Sequence, residues 1–190
     1  MLSSPVFKAV FLGLTAAFAA LIGGCDRESN PAAQPAAAAV PASAIDRSFK
    51  GSAIPEFVFA DPAGKEMRLS DYKGKPLLIN LWATWCAPCV AELPLLDAVA
   101  RREGARLKVL TISQDGPRKD KVAAFLAQRG VKQLEPWIDP DLALMTHYRA
   151  DTLPMTILYD AQGREVWRVI GPREWNDAAC AQLIGEALSD

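Results

Sequence analysis

Histidine is nearly absent from this chain: His147 is the only one in 190 residues. A metal site would therefore have to draw on the four cysteines, and of these only Cys86 and Cys89 are closely spaced. A two-spaced pair is half of a zinc site, and Cys25, Cys180 and His147 do not supply the other half at ligand spacing. Excess positive charge is also missing. Lysine and arginine number 21 against 22 acidic residues, a formal net charge of −1, so there is no basic face of the kind that phosphate neutralisation requires, and nucleic acid is excluded as a partner. Long hydrophobic runs are lacking too. The apolar stretch from Ala9 to Ile22 is interrupted by Gly13 and Thr15 and falls short of the roughly 20 residues of a stable spanning helix. What remains is a globular balance, 51% hydrophobic and 23% charged, sized for one domain with appendages.

The first appendage reads as an address. Lys8 is the sole charge before the run Ala9 to Ile22, which has the length of a secretory h-region. It ends in Leu21-Ile22-Gly23-Gly24-Cys25, which resembles the bacterial lipobox, with Gly23 a mild departure from the usual middle position. The resemblance implies a signal peptide over residues 1–24 and a diacylated Cys25, whose two or three acyl chains suffice for stable anchoring. Ordinary cleavage after Ala17-Phe18-Ala19 is the alternative. Asp26 follows Cys25 and resembles the enterobacterial signal for retention in the inner membrane. Residues 25–48, rich in alanine and broken by Pro31, Pro35 and Pro41, read as a tether, because prolines interrupt helices and favour extended conformers. A passive spacer would look the same.

Residues 49–190 are expected to form the folded head. Ile54 to Phe59 and Glu66 to Leu69 flank a turn-rich Asp61-Pro62-Ala63-Gly64-Lys65, the pattern of a β-hairpin. Pro76 to Trp82 is nearly all apolar, as in a strand buried on both faces. Val90, Leu93, Leu96 and Val99 mark a helical face reaching about Arg102, Leu107 to Ile112 a second strand, and Val122, Phe125 and Leu126 a second helix ending near Gly130. Strand, helix, strand, helix predicts a parallel unit with right-handed crossover. A short helix over Leu142 to Tyr148 precedes Leu153-Pro154 and a second hairpin, Met155 to Tyr159 with Glu165 to Ile170. A closing helix is expected from Glu174 to Leu188, with Trp175, Ala179, Leu183 and Leu188 on its buried side. No internal repeat is visible.

The chemistry concentrates in Trp85-Cys86-Ala87-Pro88-Cys89, where the apolar strand gives way to the helix. The first turn of a helix offers unpaired amides and the positive end of its dipole, so a thiolate at Cys86 is stabilised there and Cys86 becomes the better nucleophile. Cys89, about one turn further in, is placed to resolve a mixed disulfide by attacking the Cys86 sulfur. Pro88 sits where its missing N–H costs little. An inert structural disulfide is the bland alternative, although so small a loop adds little to stability.

The segment from Asn80 to Pro94, NLWATWCAPCVAELP, resembles the active-site segment of membrane-tethered, thioredoxin-like thiol-disulfide reductases of the TlpA/ResA type. Leu153 to Val166, LPMTILYDAQGREV, resembles the cis-proline strand and following hairpin of that family, and element order agrees from about residue 54 to 188. The resemblance implies a single thioredoxin-like α/β domain, a mixed central sheet flanked by helices, with an N-terminal β-hairpin extension. It makes Cys86 and Cys89 the redox-active disulfide and Pro154 the cis-proline opposite them. The backbone of Leu153 then pairs with substrate, although relatives of other redox character carry threonine or valine there. Trp85 forms an exposed apolar rim for peptide docking, while Trp82 packs in the sheet. Pro94 matches the helix-kinking proline, and Glu92 an acid found three residues after the second cysteine, for which a solvated helix charge is the plain alternative. Thioredoxin has a buried aspartate at the position of Asn80, and asparagine cannot ionise, so Glu92 is the candidate for exchanging a proton with Cys89. Cys180 reads as a small core residue, with regulatory pairing the alternative, and His147 as a partly exposed, non-catalytic residue.

The function these features imply is reduction of disulfides in exported proteins by a membrane-anchored head on the periplasmic side of the inner membrane. No cofactor beyond the two sulfurs is expected. By family precedent a membrane thiol transporter of the CcdA or DsbD type supplies electrons, and the clients are apocytochrome c or copper-oxidase assembly components. A disulfide-forming oxidant and a non-enzymatic copper-binding assembly factor are the alternatives.

Overall fold

The computed structural model describes residues 43–188, without the side chains of 117–119. The expected signal peptide, Cys25 and most of the tether lie outside the described residues. Eight strands and four helices follow in chain order: β1 Ile45–Asp46, β2 Val58–Ala60, β3 Glu66–Arg68, β4 Leu77–Trp82, α1 Ala87–Glu103, β5 Lys108–Ser113, α2 Val122–Gln128, β6 Trp137–Ile138, α3 Ala143–Tyr148, β7 Met155–Tyr159, β8 Glu165–Ile170 and α4 Ala178–Gly185. Among the described residues no helix is long and apolar enough to cross a membrane.

The strands form one mixed sheet in the order β1-β8-β7-β4-β5-β6-β2-β3. β4 and β5 run parallel, as do β5 and β6, whereas β7 lies antiparallel to β4 and β8 antiparallel to β7. All six residues of β4 are buried, which is why this strand reads as a continuous apolar run: helices and neighbouring strands leave it no wet face. The Leu81↔Met155 pairing sets the register between β4 and β7. It brings residue 154, just before β7, beside the turn that follows β4.

Two features depart from the sequence expectation. The sheet begins at Ile45, inside the span assigned to the tether, because Ile45 and Asp46 pair with Val169 and Arg168 of β8. The expected N-terminal hairpin, β2 with β3, is present and forms the far edge of the main sheet, where Ala60 pairs with Ile138 of β6. The closing helix starts at Ala178, capped by the Asp177 carboxylate accepting the Cys180 N–H at 2.6 Å. That cap rotates the face: Cys180 and Ile184 are buried and Ala179 is exposed. Trp175 is fully buried but precedes the helix. Trp167 of β8 pins α4 by donating its indole N–H to Leu183 O at 3.1 Å.

The turn between β4 and α1 is tied down by a buried aspartate just beyond β5. Asp115 accepts the Thr84 N–H at 2.9 Å, the Thr84 hydroxyl at 2.5 Å and the Ser113 hydroxyl at 2.6 Å. Three donors converge on one carboxylate, so its removal would strand a backbone amide and two hydroxyls in a part-buried site. Replacing Asp115 by Ala is expected to cost about 2–3 kcal/mol in urea unfolding. Replacement by Asn should cost much less, because its oxygen serves the Thr84 N–H and Ser113 while its amide donates to the Thr84 hydroxyl. Equal losses in the two variants would show that charge, not this clamp, is what matters.

Candidate functional site

β4 delivers the chain to Ala83-Thr84-Trp85, and Cys86 is the N-cap of α1. Its sulfur accepts the Cys89 N–H at 3.3 Å, one of the amides that a helix start leaves without an intrahelical partner. Cys86 and Cys89 are joined by a disulfide with an S–S distance of 2.01 Å and a Cα–Cα distance of 5.3 Å. Cys86 is 6% exposed and Cys89 1%. The amide that now bonds the Cys86 sulfur would serve a thiolate at the same position after reduction, and a charge-assisted bond is the stronger of the two.

The residues around the pair arrive from separate elements. Trp85 is 56% exposed beside Cys86 and lines a surface groove with Thr84, Lys121, Ala124 and Phe125. The Leu153–Pro154 peptide is cis, and Leu153 is largely covered. Pro154 O accepts the Gly171 N–H at 2.8 Å. Trp82 is fully buried in the sheet, with its ring 5.8 Å from that of Phe125. Cys86, Cys89, Trp85, Leu153 and Pro154 thus come from the β4–α1 junction and the segment that the sheet register places beside it.

Glu92 is not a solvated charge. It is 3% exposed and lies on the buried side of α1, one turn beyond Cys89. One oxygen accepts the Arg173 backbone N–H; the other has no hydrogen-bond partner. Burial pushes its pKa up to about 7, against the Arg173 amide, the Trp175 indole and the Asn80 side chain, which favour the charged form, while Glu174 adds repulsion. The nearby indole and carboxamide act through their polarity without closing an aligned bond to the second oxygen. Asn80 is itself committed, its amide donating to Thr156 Oγ1 at 3.0 Å across the register pair Asn80↔Thr156.

His147 packs edge-on against Phe57 and Tyr148, with ring centroids 5.3 and 4.9 Å away, and burial lowers its pKa. Among the described residues no cluster of three or more metal-ligating side chains forms. Cys180 is free and fully buried. Sequence reasoning missed Arg173 and Asp115, and it gave Trp175 burial on the closing helix but no place at the site. Arg173 and Asp115 lie in no periodic pattern, and all three matter through contacts made over a long sequence separation or in a loop.

Comparison with known proteins agrees with this geometry. The redoxin family profile matches residues 49–184. The thiol-disulfide oxidoreductase ResA of Geobacillus kaustophilus (strain HTA426) is 34% identical over 123 residues, 63% of this chain and 68% of that protein. Among solved structures, a DsbE-type thiol:disulfide interchange protein from Chlorobium tepidum superposes with a TM-score of 0.65 at 27% identity, over 73% of this chain and 97% of that one. The exposed lipoprotein thioredoxin Etrx1 of Streptococcus pneumoniae (strain TIGR4) gives a TM-score of 0.59 at 31% identity, over 70% and 99%. The chain belongs to the redoxin family, as a thioredoxin-like protein-disulfide oxidoreductase of the TlpA/ResA type.

Proposed function

We propose that the protein reduces disulfides in exported proteins, working from a lipid anchor at Cys25 on the periplasmic face of the inner membrane. The observation that carries this reading is the Cys86 sulfur seated as the cap of α1, accepting the Cys89 amide next to an exposed tryptophan. That Etrx1 is a lipoprotein of similar fold supports the anchor, together with the lipobox-like residues before Cys25.

In the reduced enzyme the Cys86 thiolate attacks one sulfur of the substrate disulfide. A Cys86–substrate disulfide forms, and the other substrate sulfur leaves as a thiolate and takes up a proton. Cys89 gives its proton to the Glu92 carboxylate and attacks Cys86 Sγ. This closes the Cys86–Cys89 bond and releases the second substrate thiolate, which recovers a proton. Two electrons have passed from the cysteine pair to the substrate. A carboxyl titrating near 7 is suited to hold and return that proton at working pH. Trp85, Leu153 and Pro154 form the docking rim. A membrane dithiol carrier of the CcdA or DsbD type re-reduces the pair, and apocytochrome c or copper-oxidase assembly proteins are the clients. Ala87-Pro88 supplies no imidazolium to hold the Cys86 thiolate, which favours a reductant over an oxidant.

Three outcomes follow. Cys89→Ser in the full chain, expressed in the native membrane, should accumulate as mixed disulfides that dithiothreitol releases, and the further change Cys86→Ser should abolish them. A Cys89→Ser protein that never captures a partner would sink the reading. The reduction potential of the pair should lie near about −270 mV, not near about −120 mV; the latter would make the protein an oxidant. Finally, because the Glu92 pKa is raised on folding to about 7, the stability it contributes is full below its unfolded value of about 4.3 and falls as pH rises through 7. The neutral Glu92→Gln lacks this loss, so in urea titrations of the oxidised protein its stability relative to the parent should climb between pH 4.5 and 8, by on the order of 3 kcal/mol. A constant difference across that window would contradict the assignment.

A further inference from the structure

The loop after β8 touches the site at two points, Pro154 and Glu92. Gly171 donates its N–H to Pro154 O at 2.8 Å, the Arg173 N–H is accepted by Glu92, and Trp175 is buried beside the same carboxyl. Loops are ordinarily the mobile parts of a fold, yet an amide that sets a buried carboxyl must be held still. Two anchors hold it. The Arg173 Nε donates to Cys180 Sγ at 3.0 Å, and the Cys180 thiol donates in turn to Glu174 O at 2.8 Å. The other arm of the guanidinium reaches Ser43 O at 3.3 Å, and the Ser43 hydroxyl donates to Pro172 O at 3.2 Å. Gly171 makes room for this: its φ is +96°, and a Cβ there would stand 2.6 Å from Ser43 Oγ.

We propose that Arg173 is the positioning residue of Glu92, its side chain clamped between Cys180 and the strap residue Ser43 so that its backbone N–H stays aimed at the carboxyl. The segment entering the sheet before β1 is then part of the proton-handling site and not only a spacer, and Cys180 is a polar node of the clamp with both its donor and acceptor capacity in use. This rests on Glu92 being the proton-handling group, but its test reads the carboxyl itself and not turnover.

The groups acting on Glu92 are Asn80 from β4 and Arg173, Glu174 and Trp175 from the loop, with Cys89 one turn before it on α1 and also buried; Asp177, at the cap of α4, also feels the Arg173 charge. The amide of Arg173 favours the ionised carboxyl, so loosening the clamp leaves the proton more tightly held. In the oxidised full chain with 13C-labelled glutamate, the Glu92 carboxyl resonance is identified by its loss in Glu92→Gln and followed against pH. In Arg173→Ala, which keeps the backbone amide but removes both anchors, the midpoint should rise by about half a pH unit or more, a roughly threefold gain in proton affinity. Arg173→Lys keeps the charge but cannot span both anchors and should move in the same direction. Ser43→Ala, a surface-side change that removes one bond of the strap, should give a smaller rise. A Lys variant titrating like the parent beside a shifted Ala variant would assign the effect to charge and overturn the proposal. So would unmoved midpoints in folded variants, and if Arg173→Ala does not fold, an unmoved midpoint in Ser43→Ala decides against it. Thiol exchange that fails in the parent protein would instead count against the functional reading.

Discussion

Because β4 is buried along its whole length and α1 must pack back over the sheet, the turn between them emerges at the carboxyl end of the strand. Cys86 falls on the free amides of the helix start. That placement depends on the parallel β4–β5 pairing, since a parallel sheet needs a crossover helix and so brings a helix N-terminus to the end of a central strand. The other parts are arranged around this one. The β4–β7 register sets Pro154 beside the same turn, and the Asp115 clamp keeps Thr84 fixed immediately before Trp85. A sulfur held by an amide without a helical partner is already solvated for the charge that reduction brings, so the protein need not reorganise to receive it.

A carboxyl inside the core is the more expensive element. Transfer of an ionised carboxylate into a low-dielectric site is strongly unfavourable unless it is paired, and Glu92 has one backbone donor and an oxygen without a partner. The molecule's other covered carboxylates are treated differently. Glu165 is gripped by both arms of Arg168 at 2.6 Å, Asp97 accepts the N–H groups of Lys132 and Gln133, and Asp139 accepts those of Ala143 and Leu144. Glu92 has no such set of donors, and burial pushes its pKa up to about 7, which is the expected mark of a working group.

Most of the architecture was legible because it rests on periodicity. β4, β5, β7 and β8 are long enough for their apolar patterns to show, and the α1 face at Leu93, Leu96 and Val99 is buried as the spacing requires. β1 and β6, two residues each, were invisible because so short a segment has no period, and they exist only through their partners in the sheet. The start of α4 was misplaced because Trp175 satisfies a helical pattern while belonging to the loop, and the Asp177 cap, not hydrophobicity, sets where the helix begins. In the site, the cysteine spacing and Leu153-Pro154 were readable from local residues. The burial of Glu92 was only one of two readings, since an isolated acid on a helix looks the same whether it faces solvent or core. Arg173 could not be found at all: its contact with Glu92 is made by a backbone amide 81 positions away, and an amide has no sequence signature.

The absence of an ionisable group at Asn80 sharpens what the proposed role asks of Glu92. Asn80 and Thr156 satisfy each other and contribute polarity without a proton. In the proposed resolving step Cys89 must become a thiolate at a position that is 1% exposed, where creating a new charge would be costly. Passing its proton to an ionised Glu92 moves a negative charge from carboxylate to sulfur within the same covered region and creates none. The cost is then the difference between two buried anions and not the full burial of one. Once the disulfide closes, the sulfur anion is gone, and the neutral carboxyl left behind is the form that burial prefers. In the proposed cycle the carboxyl stores the proton only until the next reduction asks for it, and the burial that raises its pKa would also drive the site back to a neutral resting state.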